Sequence, residues 1–190
     1  SSINQLIIGG VFFLCIWINI DEVFSLLPLK FSFGKWVVLF IGLSQLFNIS
    51  SGVNGAIIVN SMYYRYDLYT NVLLVFITLL TNYIFIPIYG INGAAMATAL
   101  SVFLFNFIRL FLIKVKMKMH PFSIKTIYTV IILFAIYSLV IFLPLSGIVY
   151  FDIIWKSVVV FVIFIPAVLY FNLSEDITLL IKDLRNRFLS

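Results

Sequence analysis

The sequence predicts an all-α fold, a polytopic transmembrane helix bundle of about six spanning helices. Two observations carry this reading. Of 190 residues, 64% are hydrophobic and 10% are charged, with a mean hydropathy of +1.20, whereas a soluble domain is about half apolar and a quarter charged. The apolar residues also run continuously over helix lengths, where barrel strands would alternate in segments of about ten residues. In lipid every backbone group must bond internally, so runs of this length are helices.

Spans are expected near 3–20, 36–60, 68–86, 93–113, 124–143 and 153–171. Each holds about 18–25 residues, enough to cross a hydrocarbon core about 30 Å thick. The chain opens on Ser1 and enters the first span with no charged segment before it. That span does not read as a signal peptide, and the chain is expected to be part of a longer protein.

The sharpest local feature is the stretch Ile86-Pro87-Ile88-Tyr89-Gly90-Ile91-Asn92-Gly93-Ala94-Ala95-Met96-Ala97-Thr98. Pro87 is expected to end one helix, because it lacks a backbone donor and restricts its predecessor. Gly90 and Gly93 permit a tight reversal. A turn this short makes the third and fourth spans antiparallel neighbours. Gly93, Ala97 and Ser101 then form a row of small residues on the fourth span, a seam where another helix can approach closely.

The second span is the least apolar. Gln45, Asn48, Ser51, Gly52 and Gly55 recur at spacings of three and four, with Ser44, Ser50 and Asn54 beside them. On a helix they make a broad polar stripe, costly against lipid and expected to face protein or a water-filled cavity. Interhelical hydrogen bonding and cavity lining both account for it. Asn60, Asn71 and Asn82 are expected to be structural, and Pro166 to kink the sixth span.

Lys and Arg set the orientation. Arg65, Arg109, Lys114, Lys116, Lys118, Lys125, Lys182, Arg185 and Arg187 fall on one side, and Lys30, Lys35 and Lys156 on the other. The positive-inside rule places the first group, and both chain ends, in the cytoplasm. Trp17, Trp36 and Trp155 sit at the outer span ends, where interfacial anchors belong. Over residues 172–190, Asn172 and Glu175 resemble a capping box. Ile177, Leu180, Ile181, Leu184 and Phe188 then share one face, as in a cytoplasmic interfacial helix.

Several chemistries find no support. Asp21, Glu22, Asp67, Asp152, Glu175, Asp176 and Asp183 all fall in loops or at span ends, so no mid-membrane proton relay is expected. One cysteine, Cys15, and one histidine, His120, exclude an internal disulfide and argue against a zinc site. No cofactor, metal or catalytic constellation is expected, and membrane topology accounts for the positive charge without nucleic acid. Arg109, about one turn from a span end, either snorkels to the headgroups or turns inward to meet an anionic substrate group. Arg65, in Tyr63-Tyr64-Arg65-Tyr66, is a second candidate for substrate contact.

The turn from Pro87 to Thr98, preceded by Thr81-Asn82 and followed by Ala99-Leu100-Ser101, resembles that of polysaccharide-biosynthesis membrane proteins. These are the O-antigen and capsule flippases of the multidrug/oligosaccharidyl-lipid/polysaccharide exporter superfamily. Ser51-Gly52-Val53-Asn54-Gly55, Ser61-Met62-Tyr63-Tyr64-Arg65 and Lys118-Met119-His120-Pro121-Phe122 extend the likeness over most of residues 36–125. The resemblance implies two pseudo-symmetric helical lobes around a cavity, with these spans as the ninth to fourteenth and the upstream lobe outside this chain. It implies a bacterial inner-membrane flippase that moves a polyprenyl-diphosphate-linked oligosaccharide to the outer leaflet, is not an enzyme, and works among membrane lipids with a polysaccharide polymerase as a further partner. The substrate-cavity candidates are Gln45, Asn48, Ser51, Asn54, Arg65 and Arg109. A cation-coupled multidrug exporter of the same superfamily and a membrane-embedded polymerase or acyltransferase are the rival readings.

Overall fold

A computed structural model of the chain describes residues 2–28, 34–51, 53–117, 124–143 and 147–174. Among them 88% are helical and none is in a strand. The helices are α1 (Ser2–Ile18), α2 (Ile20–Ser25), α3 (Lys35–Ser50), α4 (Val53–Val59), α5 (Tyr64–Leu112), α6 (Ile124–Val140) and α7 (Val149–Tyr170). A π-helical turn, Ile113–Met117, continues α5. Two helical stretches, Tyr64–Lys116 and Val149–Tyr170, are long and apolar enough to cross a membrane, while α1, α3 and α6 are apolar but shorter.

The described helices form two compact units, one from residues 3–23, 124–143 and 147–174 and one from residues 24–28, 34–51 and 53–117. In the first, Ile7, Val11 and Leu14 of α1 recur at helical spacing and bury against Ile136 and Val140 of α6 and Val160, Phe164 and Val168 of α7. Gly10 faces the Leu133 side chain so closely that any larger residue would displace it. α7 continues through Pro166 and closes at Asn172, whose φ of 45° is left-handed. The Leu173 amide then donates back to the Val168 carbonyl at 3.2 Å, and Leu173 itself is buried in the core, the Schellman ending. Asn172, expected to begin a following helix, thus terminates α7; the interfacial helix expected beyond it falls on residues 175–190, outside those described.

In the second unit α3 and α4 pack on α5. The single span expected over 36–60 is divided between α3 and α4. α3 caps at Ser51, whose amide donates to the Phe47 and Asn48 carbonyls. Serine favours caps over helix interiors, and the Ser50-Ser51 pair supplies the break. α5 is two helical arms rather than one rod: Gly90, at φ 57° and ψ −131°, divides them. Thr81 and Ser101 hydroxyls lie 2.9 Å apart across the arms, where one straight helix would separate them by about 30 Å. The expected end of the first arm moves from Pro87 to Gly90. Proline costs a hydrogen bond in a helix, yet α5 passes through Pro87 to Tyr89 before it reverses.

Gly93 explains how closely the arms approach. A Cβ there would run into the Phe85 carbonyl oxygen and the Tyr89 side chain. Ala97 and Ser101 follow one and two turns on, both buried. Ser101 donates to the Ala97 carbonyl at 2.8 Å, and Thr81 reaches the same carbonyl at 3.4 Å. Small residues and shared hydroxyls let two backbones meet without leaving polar groups unpaired.

Candidate functional site

The polar residues of the second unit gather where α3 and α4 meet the second arm of α5. Ser44 and Asn48 of α3 and its cap Ser51 repeat at i, i+4 and i+7, so one helix face holds all three. Ser44 is buried and donates to the Ile41 carbonyl at 2.8 Å. Asn48 accepts a 3.2 Å hydrogen bond from the Asn106 side-chain amide, which also reaches the Val102 carbonyl at 3.0 Å. Ser51 is 3% exposed, and its hydroxyl has no hydrogen-bond partner among the described residues. Gln45 falls off this face and is exposed. The Asn54 side chain lies outside the described residues.

One turn beyond Asn106 stands Arg109. Its guanidinium pairs with the Asp67 carboxylate, in the first turn of α5, and lies 4.2 Å from the centre of the Phe105 ring. Both charged side chains are mostly buried, at 15% and 20% exposure. Arg109 therefore turns into the unit rather than out along its surface. The second Asp67 oxygen accepts from the Asn71 amide at 3.0 Å. On α4, Gly55 leaves the space beside the guanidinium: a Cβ there would stand 3.1 Å from Nη1. The Arg109 Nε is buried without a hydrogen-bond partner among the described residues.

This arrangement is chemically asymmetric. A guanidinium presents paired N–H groups along an edge, suited to two oxygens of one anion. Asp67 engages Nη2, while Asn71 holds the other carboxylate oxygen, leaving Nε of that edge unfilled. Phe105 and Gly55 offer no competing acceptor. One N–H of this edge is thus paired with the chain's own carboxylate, and the other has no acceptor among the described residues.

Arg65 stands apart. It is exposed, with its Nε 3.4 Å from the Tyr64 hydroxyl and its guanidinium 5.9 Å from the Tyr64 ring. Pro87 and Gly90 lie at the reversal of α5, far along each arm from Asp67 and Arg109. The partners of Arg109 are absent from the sequence-derived site. The usable signal is reflection of α5 about Gly90, which carries position 67 to within about one turn of position 109. Beside Ser44, an apolar groove of about 380 Å³ is lined by Phe40, Phe47, Phe85, Met96 and Phe103, among others. Phe47 and Phe103 close it with ring centres 4.7 Å apart.

The first unit holds a second polar cluster. Glu22 pairs with Lys156. Asn19 donates to the Cys15 carbonyl at 2.7 Å and to the Ser157 hydroxyl at 3.0 Å. Asp152, one turn before Lys156, is 4% exposed. Among the described residues no group of His, Cys, Asp and Glu is placed to hold a metal ion. No protein-family model, curated protein or solved structure matches the chain.

Proposed function

We propose that this chain is the C-terminal portion of a multi-pass inner-membrane flippase for a polyprenyl-diphosphate-linked oligosaccharide. It carries the lipid from the cytoplasmic to the outer leaflet and makes no covalent bond. Six spans cross the bilayer, with the C-terminus cytoplasmic, and one lobe rocks against another to expose the cavity alternately to each side.

The observation that carries the proposal is the inward-turned Arg109, paired with Asp67 beside the Asn48–Asn106 bond. A buried cation amid polar amides is costly in a membrane protein unless it serves binding or transport. A diphosphate supplies the anionic oxygens such a group accepts. Two further features support the membrane setting. Large apolar side chains such as Phe76, Leu79, Phe134 and Val162 are more than 60% exposed, a surface water would penalise and lipid does not. The residues of the family-like turn form a close helical hairpin around Gly90 and Gly93.

The test is transport of a lipid-linked oligosaccharide by the full-length protein in vesicles. Arg109→Gln should reduce flipping strongly, and Arg109→Lys should retain part of it, since the charge remains while the planar fork is lost. Equal, near-normal transport by both variants would remove Arg109 from the substrate path.

One observation favours a second reading. Asp67 is a carboxylate four-fifths buried inside a helical unit, the kind of group a cation-coupled exporter of the same superfamily requires. In that case deletion leaves the lipid-linked pool normal and creates drug sensitivity.

A further inference from the structure

We infer that Asp67 is the resident counterion of Arg109, a carboxylate that holds the guanidinium while the site is empty and yields it to an incoming phosphate group. The inference rests on the anion-carrying role proposed above, and adds to it how the empty site is held and released.

Four observations lead to it. First, Arg109 is mostly buried against Phe105 and Gly55, where an unpaired charge would be expensive. Some anion must accompany it whenever substrate is absent. Second, Asp67 fills that need incompletely. It engages Nη2, while the buried Nε on the same edge has no acceptor among the described residues. A carboxylate free to turn would take both positions. Third, Asn71 prevents that turn, because its amide holds the second Asp67 oxygen at 3.0 Å. Fourth, Gly55 sets no side chain against the guanidinium, where a Cβ would stand 3.1 Å from Nη1.

A phosphate group can do what Asp67 does not. Its several oxygens reach Nη2 and Nε together, and the side-chain amide of Asn71 remains as a donor. Exchange of the carboxylate for phosphate keeps the guanidinium paired throughout, so the buried charge is never left alone. Because Asp67 and Arg109 lie on opposite arms of α5, the exchange also unlatches the arms at the end away from Gly90. The chemistry recognised is the phosphate group, whether on a carried isoprenyl diphosphate or on an ordinary anionic phospholipid.

The test is equilibrium binding of inorganic pyrophosphate to the full-length protein in phosphatidylcholine nanodiscs. Asp67→Asn keeps the shape and removes the competing charge, and should tighten binding about tenfold, equivalent to about 1.4 kcal/mol. Asn71→Ala frees the carboxylate from its orienting partner and should change affinity in the same assay by a smaller factor. Arg109→Gln should abolish the gain when combined with Asp67→Asn. Unchanged or weaker binding by Asp67→Asn would overturn the proposal and leave Asp67 as a structural partner. If Asp67→Asn does not fold, unaltered affinity in Asn71→Ala overturns it instead. Two competitions identify the source of phosphate. Displacement of pyrophosphate by an isoprenyl diphosphate points to carried lipid; loss of the Asp67→Asn gain in discs containing phosphatidylglycerol points to a phospholipid headgroup. The flippase reading fails separately: an intact Asp67→Asn gain with no isoprenyl diphosphate binding keeps the counterion exchange and rejects that substrate.

Discussion

Thr81 and Ser101, twenty residues apart, place their hydroxyl oxygens 2.9 Å from one another. That contact defines α5 as a hairpin, and it supplies a direct probe of the fold. In a background without other cysteines, Thr81→Cys with Ser101→Cys should oxidise to an intramolecular disulfide, read by mass spectrometry as two thiols protected from maleimide. A continuous straight helix would hold these positions about 30 Å apart and leave both thiols free.

Gly93 should be the least replaceable residue of the seam. Its missing Cβ is what allows the second arm to meet the Phe85 carbonyl. Gly93→Leu is expected to cost about 1–3 kcal/mol by overpacking, read as a lowered unfolding temperature in detergent, and to prevent the Thr81–Ser101 cross-link. Unimpaired cross-linking would show that the arms pack elsewhere.

At the reversal, Gly90 and Pro87 should behave differently. Gly90 has φ 57° with nothing within 4 Å of a Cβ, so Gly90→Ala meets strain rather than a clash, about 1–3 kcal/mol. Pro87→Ala restores a backbone donor within a helix that already continues to Tyr89, and should be neutral or mildly stabilising. Greater damage from Pro87→Ala than from Gly90→Ala in thermal unfolding would contradict this assignment.

The Asn48–Asn106 bond joins α3 to the second arm at 3.2 Å. A double-mutant cycle with Asn48→Ala and Asn106→Ala should yield a coupling energy of about 0.6–1.7 kcal/mol, the range of interhelical hydrogen bonds in membranes. Strict additivity in unfolding measurements would show that the two amides do not bond to each other.

Glu22 and Lys156 form an ion pair with both side chains nearly buried, at 11% and 12% exposure. Breaking a mostly buried pair is costly, so Lys156→Met should destabilise the unit by about 3 kcal/mol. Glu22→Gln together with Lys156→Met should recover much of that loss. A double variant no more stable than Lys156→Met alone would show that the pairing carries no weight.

Legibility from sequence divides along physical lines. The helical class follows from composition and run length, because lipid or not, continuous apolar segments without β alternation have few other solutions. The Pro87–Gly93 turn was readable because glycine and proline act locally, within a residue or two of where they stand. Pro87 does not mark the terminus: it forfeits an amide donor, yet the helix runs on to Tyr89 and reverses only at Gly90. The break at Ser51 in the span expected over 36–60 was hidden by flanking apolar residues, which mask a cap in a hydropathy reading. Arg109 was visible as a candidate, but Asp67 was not its evident partner. Its role arises from the hairpin, which joins positions 42 residues apart, and a tally of carboxylates at span ends contains no such distance. Gln45 and Ser51 share the polar stripe in sequence, yet their exposure differs sharply, because a 100° step separates faces that spacing alone merges.

The most direct test of the central claim is the pool of lipid-linked oligosaccharide, resolved by leaflet, in cells lacking the gene. A flippase predicts complete units accumulating on the cytoplasmic leaflet, with surface polysaccharide lost and restored by the wild-type protein. A normal leaflet distribution, or unpolymerised units gathering on the outer leaflet, would contradict it.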